Sequence, residues 1–304
     1  MILSIVALGA SAQETAVFRT RVTEVRIDAQ VVDGNKVIPG LTANDFQIFD
    51  EGAPQQLTRF GRETEPLALV LLIDVSGSMK KYAREMAKTA QTAVAQLLPQ
   101  DRVSVMLFAR GTETVSDFSG KLNEVHREIE VGIDQHTLPS GTAIYQSILE
   151  AAEAIGEYVA KHPDARRAIL ILTDNESLNY QIGEEQVLTG LSSVSAVLNA
   201  IVPKGVSRPK LKVPNGYRNP DFTPTDIFRI AEQSGGEAYR VERLERALPE
   251  IFERLRTRYL LIYRAPAAEP GTLRKVRVEL TAEARKKYPK AIVRARSGYR
   301  AGGS

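Results

Sequence analysis

Apolar runs alternate with helix-spaced apolar residues through the middle of the chain. Leu67–Ile73 is an uninterrupted apolar run, which is typical of a strand that is covered on both faces. Residues 79–98 place apolar side chains at helical spacing, and Pro99 ends that pattern. Val103–Ala109 and Ala168–Thr173 repeat the strand pattern. These repeated strand–helix units predict a mainly parallel central sheet with helices on both faces.

The rest of this region follows the same alternation. A stretch rich in proline and glycine is predicted to be a loop over residues 203–223. The helix after it is expected to have Thr223 as its N-cap and Pro224 in its first turn, and to stop at Gly235-Gly236. Further helices are predicted at 121–131, 143–160, 184–192 and 244–257, and further strands at 195–202 and 237–241.

Both ends of the chain have strand character instead. Residues 17–62 alternate apolar and polar positions around a turn at Asp33-Gly34-Asn35. Either group of strands would be only marginally stable by itself. We therefore expect residues 17–64 and 259–300 to form one small β-sandwich-like domain, with an α/β domain at 65–258 inserted between them. The C-terminal strand-like segments are Tyr259–Tyr263, Val276–Leu280 and Ile292–Ala295.

The composition is that of an ordinary globular protein, with 43% hydrophobic and 25% charged residues in a chain of 304. The net charge of +3 is too small to indicate a nucleic-acid-binding protein. Because cysteine is absent, a disulfide framework, a thiolate nucleophile and a zinc–thiolate site are excluded. These features leave the oligomeric state open.

The first residues resemble a secretion signal. Ile2–Leu8 forms a short apolar core, and Ala10-Ser11-Ala12 fits a cleavage site between small residues. We expect residues 1–12 to be removed and the protein to be exported to the periplasm, the cell envelope or the exterior; an apolar first strand is the alternative. No other run is long enough to cross a bilayer, so no transmembrane helix is predicted in the mature chain.

Oxygen-bearing side chains follow the apolar run Leu67–Ile73 in the segment Asp74-Val75-Ser76-Gly77-Ser78. Carboxylate and hydroxyl oxygens are hard ligands, which suit Mg²⁺ or Mn²⁺. In an open α/β sheet, ligands bind beyond the carboxyl ends of the strands, so two further loops are expected to meet this segment. One offers a threonine at the start of a helix, and the other an aspartate after a strand. The predicted metal ligands are Asp74, Ser76, Ser78, Thr142 and Asp174.

This set resembles the metal-ion-dependent adhesion site (MIDAS) of von Willebrand factor A (vWA) domains, including integrin I-domains. Asp74, Ser76 and Ser78 match the D-x-S-x-S motif of that family, Thr142 matches the threonine of its second loop, and Asp174 matches the aspartate of its third. Asn175 departs from the pattern, because many members carry glycine there. The resemblance covers roughly residues 65–258 and implies a Rossmann-like α/β fold.

The flanking regions resemble a bacterial VWFA-related family first described from Acidobacteria. This second resemblance is less specific, and it implies an architecture rather than an activity. Its matching segments are Val31-Val32-Asp33-Gly34, Gly40-Leu41-Thr42, Asp45-Phe46, Asp50-Glu51-Gly52, Tyr259–Tyr263 and Arg296-Ser297-Gly298-Tyr299.

The resemblance implies a metal-dependent protein-binding module and not an enzyme. In that family the hydroxyls typically touch the metal, and an Asp or Glu of a partner protein displaces a metal-bound water. Two alternatives stay open: a metal held only for loop stability, and aspartates that merely cap helices and fix turns. A Mg²⁺-dependent phosphoryl-transfer enzyme with Asp74 as nucleophile is disfavoured, because Ser76 stands where such enzymes generally carry a general acid and no G-x-x-x-x-G-K-[ST] loop occurs.

Overall fold

The computed structural model describes residues 24–62, 64–177, 182–208 and 225–302. The predicted signal peptide at 1–12 and most of the predicted loop at 203–223 lie outside these residues. Within the described residues, no helix combines the length and the apolar character needed to span a bilayer.

A six-stranded sheet forms the centre of the molecule, in the order β11-β10-β9-β6-β7-β8. The apolar run predicted as a buried strand is β6, and every residue of it is buried between β7 and β9. This position explains the uninterrupted apolar sequence, because a central strand has helices on both of its faces. The strands are β6 (Leu67–Asp74), β7 (Arg102–Phe108), β8 (Thr112–Ser119), β9 (Arg166–Leu172), β10 (Val197–Pro203) and β11 (Ala238–Val241).

Six helices within the described residues cover this sheet in two layers. Leu69, Leu71 and Ile73 of β6 share a core with α1, α2 and α6, whereas Val70 and Leu72 share a second core with α3, α4 and α5. This division follows from the alternation of side chains along a strand. The helices are α1 (Lys80–Val94), α2 (Val125–Gln135), α3 (Ile144–Lys161), α4 (Glu184–Ser193), α5 (Ile227–Ser234) and α6 (Leu244–Arg256).

The central sheet is mixed: its strands are mainly parallel, as predicted, but one edge strand is antiparallel. The pairings among β6, β7, β9, β10 and β11 are parallel, but β8 runs antiparallel to β7 at the edge. The apolar pattern does not predict β8, because none of its residues is buried and its sequence, TETVSDFS, is largely polar. An edge strand can have such a sequence because it lacks a second neighbour and full cover.

One helix boundary also differs from the prediction. α5 begins at Ile227, and the side chain of Asp226 accepts a hydrogen bond of 3.0 Å from the backbone N–H of Arg229. The N-cap is therefore Asp226 and not Thr223, whose position lies outside the described residues. Gly235 ends α5 in the left-handed conformation, as the Gly-Gly signal indicated.

Strands from the two ends of the chain pair with each other. β1 runs antiparallel to β12, and β3 runs antiparallel to β13. The resulting sheets have the orders β14-β1-β12-β5, with β2 also on β1, and β15-β13-β3-β4. The strands are β1 (Glu24–Asp33), β2 (Lys36–Val37), β3 (Phe46–Asp50), β4 (Ala53–Gln55), β5 (Leu57–Gly61), β12 (Tyr259–Arg264), β13 (Leu273–Leu280), β14 (Ile292–Arg294) and β15 (Gly298–Arg300), with a short helix, α7 (Ala282–Lys287), before β14.

Buried ion pairs join these outer strands to the amino ends of the central strands. Asp28 of β1 accepts hydrogen bonds from Arg166, the first residue of β9, at 2.8 Å and from Arg258, which precedes β12. Arg166 also donates to the carbonyl oxygens of Leu255 and Arg256 at the end of α6. The sheet that contains β1 and β12 therefore contacts the amino end of β9, away from the carboxyl ends of the central strands.

Candidate functional site

Asp74 lies at the carboxyl end of β6, where its side chain is fully buried. Its Oδ1 accepts a 2.9 Å hydrogen bond from the backbone N–H of Ser76, and its Oδ2 accepts one of 2.9 Å from the hydroxyl of Thr173. Burial raises the pKa of Asp74 to about 6 against the opposing effect of these hydrogen bonds, and the nearby charge of Asp174 adds to the rise. Both carboxylate oxygens are thus fixed in place by the local backbone and the third loop.

Two of the three predicted loops are joined directly by side-chain hydrogen bonds. The hydroxyls of Ser76 and Ser78 lie 3.3 Å apart, and the Ser78 hydroxyl donates to Oδ2 of Asp174 at 2.6 Å. The other oxygen of Asp174 accepts a hydrogen bond of 3.1 Å from the backbone N–H of Glu176. Asp74, Ser76, Ser78 and Asp174 therefore form one cluster of oxygen atoms at the carboxyl edge of the sheet.

Thr142 occupies the neighbouring loop and is linked to this cluster through the backbone. The Ser177 hydroxyl donates to the carbonyl oxygen of Thr142 at 3.1 Å and accepts from the backbone N–H of Ile144 at 3.1 Å. Gly141 precedes Thr142 with φ of +119°, a value at which a side chain would be strained. Ser177 thus holds the second loop against the third, although no hydrogen bond within the described residues joins the Thr142 side chain to the other four.

Residues 69–176 match the family model described as von Willebrand factor type A domain. This segment is a vWA domain. Domains of this kind are general protein-interaction modules that are typically not enzymes, and the matched range contains all five predicted site residues. A comparison with curated proteins finds no match.

Solved structures similar to this chain include three bacterial proteins. An aerotolerance-related membrane protein from Bacteroides fragilis is 19% identical over 62% of this chain and 98% of its own, with a TM-score of 0.45. The conserved hypothetical protein BatB from Bacteroides thetaiotaomicron is 18% identical over 62% and 97%, with a TM-score of 0.46. A von Willebrand factor type A protein from Catenulispora acidiphila is 12% identical over 87% and 71%, with a TM-score of 0.45.

The donor set of this vWA domain fits a small hard cation. Its atoms are carboxylate and hydroxyl oxygens, which Mg²⁺ and Mn²⁺ prefer, and the two carboxylates would balance the charge of a dication. Across the described residues, no group of three or more His, Cys, Asp or Glu side chains is placed to hold a metal. Because the five predicted donors are all oxygen atoms, the composition of the site favours an oxygen-ligated ion over nitrogen- and sulfur-ligated ions such as Zn²⁺.

Three residues of the third loop were not among the predicted ligands but shape the site. Thr173 anchors Asp74, Ser177 holds the Thr142 loop, and Asn175 has a left-handed backbone with φ of +67°. The left-handed conformation explains how asparagine can replace the glycine common at this position, since asparagine tolerates it better than other side chains. The Asn175 side chain also donates to the Thr225 carbonyl at 3.0 Å and accepts from the Ile227 N–H at 3.0 Å.

These contacts make Asn175 a link between the site and the start of α5. Asn175→Gly keeps the left-handed backbone but loses two buried hydrogen bonds, so we expect it to lower the free energy of unfolding by about 1–2 kcal/mol. Asn175→Ala adds the strain of a left-handed Cβ, which costs about 1 kcal/mol more. Urea unfolding of the three proteins measures this order. An alanine variant as stable as the glycine variant would show that the backbone conformation is not constrained.

Proposed function

We propose that this protein is a divalent-metal-dependent protein-binding module. The metal, Mg²⁺ or Mn²⁺, would be held by Asp74, Ser76, Ser78, Thr142 and Asp174 as a MIDAS. The hydrogen bond of 2.6 Å between Ser78 and Asp174 is the main support, because it joins oxygen ligands that lie 96 positions apart in the sequence. The ion, when bound, supplies positive charge and a coordination position for a carboxylate.

The surroundings of the site support an acidic residue, Asp or Glu, as the group that a partner protein presents. α1 begins just after Ser78, so the positive end of its dipole lies near the site. The first turn of α1 contains no acidic residue, and it carries the exposed cations Lys80 and Lys81. A carboxylate would therefore approach a region that is positive even outside the metal itself.

The burial of Asp74 argues against phosphoryl transfer. A nucleophilic carboxylate needs an oxygen that can reach a phosphorus atom. Asp74 is fully buried, and each of its oxygens already accepts a hydrogen bond, from Ser76 and from Thr173. This geometry suits a carboxylate that helps to position a metal ion rather than one that attacks a substrate.

Thermal unfolding with Mg²⁺ and with a chelator tests the metal site. Mg²⁺ at about 100 times its dissociation constant is expected to stabilise the wild-type protein by roughly 2.7 kcal/mol. Asp74→Ala should lose this increment. Glu176→Ala is the matched control, because Glu176 is exposed and contributes only its backbone N–H to Asp174. Equal stability of the wild type with and without Mg²⁺ or Mn²⁺ would contradict the proposal.

Partner binding is distinct from a metal held only to stabilise the loops. In the presence of Mg²⁺, immobilised wild-type protein is expected to retain a partner from the native cell envelope. EDTA should release that partner, and the Asp174→Ala variant should not retain it. The same partner should stay unbound when its acidic residues are replaced by amides. If the partner is retained equally well in EDTA and by the Asp174→Ala variant, the metal has a purely structural role.

The proposal extends to the location and the architecture of the protein. The signal-like segment supports export to the periplasm, the cell envelope or the exterior. The pairing of β1 with β12 and of β3 with β13 supports one β-sandwich-like domain built from residues 17–64 and 259–300, with the vWA domain at 65–258 inserted. This arrangement also supports membership of the bacterial VWFA-related family.

A further inference from the structure

A large cavity lies between the vWA domain and the sheet that contains β13 and β15. Its volume is about 1090 Å³, slightly above the usual range for small-molecule sites. α4 and α5 form one wall, and β13 with the segment 296–300 forms the other. The cavity is separate from the metal site, since none of the five predicted ligands lines it.

Arg296 is the unusual residue of this cavity. Its side chain lines the cavity, and the residue is only 8% exposed. One guanidinium nitrogen donates to the Ser192 carbonyl at 3.4 Å, and the group lies 5.8 Å from the centre of the Tyr299 ring. Its Nε is buried without a hydrogen-bond partner among the described residues. A buried cation with so few partners is costly to the folded state.

The other arginines of the cavity already have carboxylate partners. Arg296 differs from them because no carboxylate within the described residues lies at ion-pair distance from it. The existing pairs are Arg229 with Glu184 at 3.0 Å, Arg274 with Asp50 at 2.7 Å, Arg277 with Glu279, and Arg300 with Glu185. Carboxylates thus neutralise four of the arginines around the cavity, and the most buried arginine, Arg296, remains available to pair with an anionic ligand.

Arg296 keeps its charge at neutral pH. Burial lowers its pKa to about 10, against a smaller opposing effect from Tyr263 and Tyr299, and that value is still well above 7. Arg296 therefore brings a positive charge to the wall of the cavity that an anion would balance.

The remaining wall is apolar. Leu188 and Leu191 of α4 face Val276 and Leu273 of β13, and Leu273 is exposed to 62%. Such a wall favours a ligand with a hydrocarbon part over a small inorganic anion. We propose that this cavity binds an organic carboxylate, with Arg296 as its charge partner and the leucine-lined wall against its apolar body.

Hexanoate and its neutral amide, hexanamide, test the charge requirement. Both are titrated into the full chain in the presence of EDTA, so that no metal contributes, and binding is followed by calorimetry and thermal unfolding. We expect hexanoate to bind and raise the melting temperature, and hexanamide and inorganic phosphate to do so at least 10-fold more weakly. Equal effects of hexanoate and hexanamide, or of hexanoate and phosphate, would overturn the proposal.

Variants assign the binding to the buried arginine. Arg296→Gln should weaken hexanoate binding by about 10- to 100-fold, the effect of losing a hydrogen bond to a charged group. Arg277→Gln is the matched control: it removes an exposed arginine of the same cavity, and hexanoate affinity should stay within about 3-fold of wild type. Unchanged affinity in Arg296→Gln would overturn the assignment.

The stability of the ligand-free variants separates a binding role from a structural one. Because Arg296 has no carboxylate partner among the described residues, Arg296→Gln should melt at the same temperature as the ligand-free wild type or above it. A melting temperature well below wild type would mean that Arg296 serves folding, and it would count against the proposal. Arg296→Lys keeps the positive charge, so it is expected to keep a preference for hexanoate over hexanamide.

Discussion

Replacing Asp28 with asparagine is expected to lower the free energy of unfolding by about 3–5 kcal/mol, the usual cost of removing one member of a buried ion pair. Asp28 is the carboxylate partner of both Arg166 and Arg258, whose side chains are 1% and 3% exposed. Without it, two guanidinium groups would be buried at the junction between the outer strands and the central sheet. Urea unfolding of the wild-type and Asp28→Asn proteins measures the loss.

Asp164→Asn is the control for this effect. Asp164 also pairs with an arginine, Arg59, at 2.7 Å, but the two side chains are 66% and 40% exposed. An exposed pair contributes little, so the control should cost less than about 1 kcal/mol. Similar losses in the two variants would show that the buried position of Asp28 has no special importance.

The same group makes the stability dependent on pH. Burial tends to raise the pKa of Asp28, but the charges and hydrogen bonds of Arg166 and Arg258 outweigh it and hold that pKa below its usual value. A lowered carboxylate pKa contributes stability that is complete above the unfolded pKa, about 3.9, and is lost as the pH falls through the folded one. The difference in the free energy of unfolding between wild type and Asp28→Asn should therefore be constant above about pH 5 and decrease below about pH 4. A difference in the free energy of unfolding that stays the same at acid pH would contradict this effect of Asp28.

The sequence predicted the parts of the fold that depend on local pattern. β6 was predicted because its side chains are apolar on both faces, and β8 was missed because its half-exposed sequence carries no such pattern. The coupling of Asp28 to Arg258 could not be predicted, because it joins positions 230 apart and no periodicity marks either of them. Such long-range contacts can be identified only from the folded structure, in which the two ends of the chain lie side by side.

The candidate site also combines features that the sequence pattern predicts with contacts that it does not predict. Asp74, Ser76, Ser78 and Asp174 were predictable because loops after parallel strands meet at one edge of a sheet. The roles of Thr173 and Ser177 depend on partners 99 and 35 positions away, Asp74 and the Thr142 carbonyl, and were not predictable. The metal ligation itself stays a prediction that the Mg²⁺ melts test.

Gly236→Ala is expected to destabilise the protein by at least about 3 kcal/mol, beyond the usual range for overpacking. The Gly235-Gly236 pair is a helix-stop signal, and Gly235 supplies the left-handed conformation that ends α5. Gly236 has a different reason: a Cβ there would lie 1.9 Å from the carbonyl oxygen of Leu198 in β10. That oxygen belongs to the backbone of an inner strand, so it cannot turn away as a side chain could. Thermal or urea unfolding measures the cost.

Two other glycines separate this clash from a general effect of adding a methyl group. At Gly205 nothing lies within 4 Å of the added Cβ, so Gly205→Ala should be neutral or stabilise by up to about 1 kcal/mol. At Gly190 in α4 the Cβ would meet the end of the Leu149 side chain at 2.5 Å, which can rotate aside, and alanine gains helix propensity worth about 1 kcal/mol. We therefore expect the loss to increase from Gly205→Ala through Gly190→Ala to Gly236→Ala. If Gly236→Ala were as stable as Gly190→Ala, the start of β11 could move relative to β10, and close backbone packing would not be the reason for this glycine.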